Sequence, residues 1–210
     1  MNGVNVKQRS LLGYKESIVM ELIFATQNQN KAKEIQKLLP SSIQVKTLAE
    51  IGCLDDIPET SSTLEGNANQ KSTYVVENFK VNCFADDTGL EIDALNGAPG
   101  VYSARYAGAQ KNSDDNMDLV LEKLEGESNR KAQFRTVISL IINGEEKQFE
   151  GIASGEITLS KSGESGFGYD PIFRPTGYEQ TFSEMSMEEK NKISHRGIAV
   201  RKLVDYLASH

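Results

Sequence analysis

Asp86 and Asp87 are the residues of this chain whose types and setting speak most directly of chemistry. They follow Cys83, Phe84 and Ala85, which read as the tail of a buried strand, and reactive groups collect where strands give way to loops. Neighbouring side chains on extended backbone point to opposite faces, so at most one of the pair looks straight into a given cleft. The other is held by backbone donors or coordinates from behind. Paired acids in this position suit a hard divalent cation such as magnesium, which takes oxygen ligands and keeps several waters. Asp86-Asp87-Thr88-Gly89 is also ordinary turn chemistry, and short strands at 82–85 and 90–94 are expected on either side of it.

Further polar residues stand where an apolar one is expected. In a helix over about 63–79, Leu64, Ala68, Val75 and Phe79 mark the apolar face, yet Asn67 and Lys71 share its stripe. Burying an unpaired lysine is expensive, so Lys71 either reaches into a wet cleft that holds an anion or snorkels at the edge of the stripe. The last helix, beginning at Ser194, carries His195 and Arg196 in its first turn, the wrong sign for the positive end of a helix dipole. A ligand carbonyl or phosphate answers them, or else a nearby carboxylate does. With His195 and His210 the only histidines, a multi-histidine zinc site is excluded, and a histidine-served nucleophile would have to use His195.

These residues require a scaffold of alternating elements. Residues 21–25 read as a buried strand and 26–30 as a polar loop. A helix follows with Ala32, Ile35, Leu38 and Leu39 on one face, capped by Asn28 or Asn30 and ended by Pro40. Residues 43–47 form a second strand, and the Ser62/Glu65 spacing reads as a capping box for the next helix. A polar helix spans 112–125. Strand 133–142 then meets Asn143-Gly144, a strong hairpin signal, and returns through 147–151. A glycine loop, GESGFGYDPIF, runs into a short strand. Strands and helices in this order imply an α/β fold with a mixed central sheet and helices packed around it.

At 210 residues the chain is long enough for a sizeable core, and no apolar run approaches a membrane span. Cys53 and Cys83 resemble neither a metal site nor a disulfide framework, so a reducing cytoplasm is expected. The net charge of −7 argues against broad nucleic-acid binding, and a phosphate ligand would need local lysines or a metal. In residues 1–19, Lys7, Arg9 and Lys15 against Glu16 give +2, leaving −9 to the rest. This leader lacks a secretory h-region. Translation is expected to begin at Met20, with 20–210 forming a single domain.

The order of these motifs resembles the inosine triphosphate pyrophosphatases, also described as non-canonical purine NTP pyrophosphatases. The likeness covers residues 21–207. It rests on Thr26, Asn28 and Lys31 in a T-x-N-x-x-K loop, ADDTGLEIDALNGAPGVYSARYAG at 85–108, FGYDP at 167–171 and SHRG at 194–197. The resemblance implies two lobes with an active-site cleft between them, a homodimer, and magnesium-dependent hydrolysis of ITP, dITP or XTP to the monophosphate and pyrophosphate. It makes Asp87 the general base and a magnesium ligand, with Glu59 and Asp86 completing the acidic site. Thr26, Gln27, Asn28, Gln29, Asn30 and Lys31 would cradle the triphosphate, with Lys71 and Thr88 beside it. Phe167, Gly168, Tyr169 and Asp170 would line the nucleoside pocket, Phe167 or Tyr169 stacking on the purine. Lys190, His195 and Arg196 would read the 6-keto oxygen. One glutamate, Glu59, follows Pro58 where many members have two, and Thr88 stands where serine is common. Competing readings are a septum-associated nucleotide pyrophosphatase and a nucleotide sensor without turnover.

Overall fold

A computed structural model describes residues 20–209. The expected leader, 1–19, lies outside the described residues. The strands are β1 (Met20–Phe24), β2 (Ile43–Thr47), β3 (Cys83–Ile92), β4 (Lys131–Ile142), β5 (Glu145–Ile157) and β6 (Phe173–Pro175). The helices are α1 (Gln29–Leu38), α2 (Leu64–Phe79), α3 (Ser113–Lys123), α4 (Met187–Ile193) and α5 (His195–Ala208). The strands form one six-stranded sheet in the order β2-β1-β3-β4-β5-β6. β2, β1 and β3 run parallel and the remaining pairings are antiparallel, which gives the mixed α/β architecture expected. Among the described residues no helix is long and apolar enough to cross a membrane.

The period-two alternation of the strands divides the core. Leu22, Phe24 and Phe84 face α1 and α5, where they meet Ile35, Val200 and Leu203. Ile23, Ala25, Cys83 and Ala85 face the other way, onto Val75 of α2. A separate core surrounds the far ends of β3, β4 and β5, built from Leu90, Ile92, Val120, Leu124, Phe134 and Phe173. Burial of each such side chain contributes ~1.5–3 kcal/mol. The β4–β5 hairpin turns through Asn143 and Gly144 at φ values of 52° and 85°, the positive pair that a type I′ turn needs.

Three expectations are corrected and one element is added. Asp86-Asp87-Thr88-Gly89 is not a turn between two strands: β3 is continuous over ten residues and pairs with β4 from Cys83↔Ile141 to Ile92↔Ala132. What ends at this point is the other neighbour. β1 pairs with β3 at Ile23↔Cys83 and Phe24↔Phe84, so that edge of β3 is left without a strand partner at Asp86–Gly89, until a bridge joins Glu91 to Pro99. The anticipated return strand at 147–151 extends over Glu145–Ile157 because β4 partners it along its whole length. The cap of α2 is Thr63, not Ser62. Thr63 Oγ1 accepts from Gly66 N at 3.1 Å, and Glu65 pairs with Arg135 rather than closing a capping box. Finally, α4 was not anticipated, although Ser186 and Glu189 form a reciprocal capping box at its start.

Candidate active site

The open edge of β3 borders a cavity of about 450 Å³. From β1 comes the polar loop 26–31. Thr26 Oγ1 accepts from Asn28 N at 3.1 Å, and Asn28 Oδ1 accepts from Asn30 N at 2.9 Å and Lys31 N at 3.2 Å, so Asn28 is the cap of α1. Thr26, Gln27, Asn28 and Lys31 line the cavity, whereas Gln29 and Asn30 lie outside its wall in the exposed first turn. The N–H groups of that turn favour an anion.

The adjacent aspartates separate as the pleat requires. Asp86 faces α1 and α5 with its side chain fully covered, accepts from Lys31 Nζ at 3.1 Å and Thr88 Oγ1 at 3.2 Å, and lies 3.6 Å from Arg196 Nε. Burial alone would raise its pKa, but Lys31, Arg196 and Lys71 outweigh it and hold the carboxyl at about 2. It is a permanent anion behind the cavity wall, not a part of the lining. Asp87 lines the cavity. Asn67 Nδ2 donates to its Oδ2 and Thr88 N to its Oδ1, each at 3.0 Å. Burial raises its pKa despite Lys71 and Lys31 nearby.

Lys71 settles the question raised by its place on the apolar stripe. It reaches the cleft, where it pairs with Glu59 and approaches Asp87 Oδ1 to 3.8 Å. Burial lowers its pKa less than Asp87, Asp86 and Glu59 raise it. Among the described residues no cluster of three or more histidine, cysteine, aspartate or glutamate side chains is set to hold a metal. Magnesium does not require one. One or two carboxylates with substrate phosphates and waters suffice, and the oxygens of Glu59 and Asp87 fit that donor set.

Aromatic and ionic groups form the other end of the cavity. Lys190 Nζ donates to Glu34 Oε1 at 2.8 Å and Asp170 Oδ2 at 2.7 Å, both fully inside the protein. Arg196 pairs with Glu34 and lies 3.4 Å from Thr88 Oγ1. The carboxylate that answers the first turn of α5 is therefore Glu34 of α1. Phe167 is half-buried, with the Arg196 guanidinium 5.5 Å and Lys190 Nζ 5.2 Å from its ring centre. Tyr169 is committed elsewhere: it is buried and its hydroxyl donates to Ser103 O at 2.8 Å, so of the two rings Phe167 is the more available to a ligand. Asp170 accepts from Phe167 N at 2.9 Å and so shapes the 167–170 loop.

His195 is buried and stacked on Phe134 at 4.5 Å. Burial, Arg196 and Lys190 push its pKa well below the ordinary value, so the ring is neutral. His195 Nδ1 and Arg196 Nε are buried polar atoms with no hydrogen-bond partner among the described residues. Such atoms are costly unless a ligand satisfies them.

Most of the residues named from sequence therefore meet on one cavity. Gln29, Asn30 and Asp86 do not line it. Glu34 and Asn67 were missing from the candidate set. Asn67 was visible as a polar intruder on the apolar stripe. Glu34 was visible only as a partner of Lys31 at i+3 and of Leu38 at i−4, on the inner side of α1.

The Ham1 family model matches residues 22–206. The dITP/XTP pyrophosphatase of Flavobacterium johnsoniae is 56% identical over 190 residues, which covers 90% of this chain and 99% of that protein. The solved Ham1 protein of Staphylococcus aureus superposes with a TM-score of 0.83 at 42% identity, covering 90% of this chain and 98% of that one. The HAM1 protein from Coxiella burnetii gives 0.84 at 39% identity, over 91% of this chain and 100% of that one. Motif order, sheet topology and these likenesses agree: the chain belongs to the Ham1 family.

Proposed function

We propose that this chain hydrolyses non-canonical purine nucleoside triphosphates, ITP, dITP and XTP, to the monophosphate and pyrophosphate. The observation that carries the reading is one cavity that brings Asp87 and Glu59 together with Phe167, Arg196 and His195, where Arg196 Nε and His195 Nδ1 make no hydrogen bond. A nucleotide has the matching polarity, with phosphates at one end and a hydrogen-bonding base at the other.

Asp87 takes the proton of a water, and that water's oxygen bonds to the α-phosphorus while the bond from the α-phosphorus to the α,β-bridging oxygen breaks. Asn67 and Thr88 N fix the carboxylate for that transfer. The first turn of α1 and Lys31 hold the phosphates. Magnesium, held by Glu59 and Asp87, would supply charge neutralisation on the phosphate oxygens. At the base end, Phe167 stacks on the purine and Arg196 Nε–H donates to the 6-keto oxygen. Adenine presents an amino group there and leaves the donor unmet, a mismatch that discriminates strongly. We further propose that residues 20–210 act as one domain in a cytoplasmic homodimer, which light scattering tests.

Purified protein incubated with magnesium and a panel of ITP, dITP, XTP, GTP and ATP tests the reading. Pyrophosphate released fastest from the first three is the expected result. Orthophosphate as the first product, or equal rates for ATP, would contradict it. Binding without any product would make the chain a sensor.

A further inference from the structure

Six cationic side chains line the cavity: Lys31, Lys71, Arg105, Lys111, Lys190 and Arg196. Four of them are already answered by carboxylates. Asp86 faces Lys31, Glu59 and Asp87 face Lys71, Glu34 and Asp170 face Lys190, and Glu34 also faces Arg196. Arg105 and Lys111 pair with no carboxylate among the described residues. These two are the cavity's cations without a carboxylate partner among the described residues.

Neither is neutralised. The Arg105 guanidinium lies 5.3 Å from the ring centre of Tyr102, a contact that steadies a cation and leaves its charge intact. Lys111 sits at φ 52°, a left-handed conformation unusual for lysine, in a turn closed by its N–H donating to Gly108 O at 3.3 Å. Asn116 of α3 ties this wall down. Its Nδ2 donates to Ala104 O at 3.2 Å, and its Oδ1 accepts from Ala107 N at 2.7 Å.

Their place along β3 matters too. Loop 26–31 leaves the sheet where Ala25 N donates to Phe84 O, and the Arg105 segment returns where Ser103 Oγ accepts from Leu90 N at 2.9 Å. Asp87 stands between these two points on the open edge. A purine base carries no charge that would call for free cations, whereas a polyphosphate does.

Resting on the pyrophosphatase reading, we propose that Arg105 and Lys111 join Lys31 in binding the polyphosphate of the substrate and retain the pyrophosphate after cleavage. Arg105→Gln, Lys111→Asn and the double variant test this through competitive inhibition by inorganic pyrophosphate and by inosine, which carries base and sugar but no phosphate. The double variant is expected to weaken pyrophosphate inhibition by about tenfold or more, the scale of a lost charged hydrogen bond, and to leave inosine inhibition within about twofold. Arg105→Lys should recover part of the loss. Unchanged pyrophosphate inhibition overturns the proposal, as does equal weakening of both inhibitors. Asparagine tolerates positive φ, so Lys111→Asn keeps the turn and carries the test alone if the double variant unfolds. Failure of the wild-type protein to release pyrophosphate from ITP would overturn the function itself, whatever the variants do.

Discussion

Two adjacent aspartates with opposite electrostatics are the centre of the site at the residue scale. Asp86 is held at about 2 by cations, whereas burial raises Asp87 above its ordinary 3.8. The signs predict opposite stability effects. The contribution of Asp86 is present above pH 3.8 and is lost as pH falls toward about 2, because its folded-state pKa is depressed. Asp86→Asn leaves Lys31 without its carboxylate partner and is expected to cost about 3–5 kcal/mol in urea unfolding at neutral pH. Asp87 is disfavoured as a carboxylate in the fold. Asp87→Asn is therefore expected to leave stability unchanged or raised while lowering turnover by about 10²–10⁴. A near-normal rate would remove Asp87 from proton transfer. Because a base must be ionised, turnover should fall with pH through the raised pKa of Asp87. That adjacent strand residues diverge was legible from the pleat alone; which of the two met the cavity was not, since that depends on Lys31 and Arg196 arriving from α1 and α5.

At the scale of elements, the site exists because β1 is short and β3 is long. The acidic segment looked like a turn because Asp, Thr and Gly are turn formers, and the pairing of β3 with β4 overrode that local preference. Helices with an apolar stripe were legible to within a residue or two; α4, short and polar, had no stripe to find. Glu34 was hidden for a related reason, since its partners lie 156 and 162 residues away in Lys190 and Arg196. One glycine sets where α5 brings its first turn. A Cβ on Gly151 of β5 would lie 2.0 Å from His195 O and 2.6 Å from Ala199 N, both backbone atoms. Gly151→Ala is expected to cost about 1–3 kcal/mol by pushing α5 outward. It should also reduce the preference for ITP over ATP more than it reduces the rate on a poor substrate. Thermal unfolding and paired kcat/KM measurements check this, and an unchanged preference would detach α5 from base recognition.

For the whole molecule, a net charge of −7 means that a polyanion is bound only by local compensation. Glu59 and Asp87 already have Lys71 between them, so the fold does not depend on a metal to relieve their repulsion. Chelation with EDTA should accordingly abolish turnover, and added magnesium restore it, with little change in unfolding midpoint; activity undiminished by chelation would exclude the metal. Fold class and most of the cavity lining were legible from sequence because the motifs sit at strand ends and helix starts. The balance of paired and free cations was not, because it is a property of side chains brought together from the whole sheet. Hydrolysis of ITP in ¹⁸O-labelled water tests the central claim most directly. The account predicts one ¹⁸O in inosine monophosphate and unlabelled pyrophosphate; label in pyrophosphate or in orthophosphate would contradict attack at the α-phosphorus.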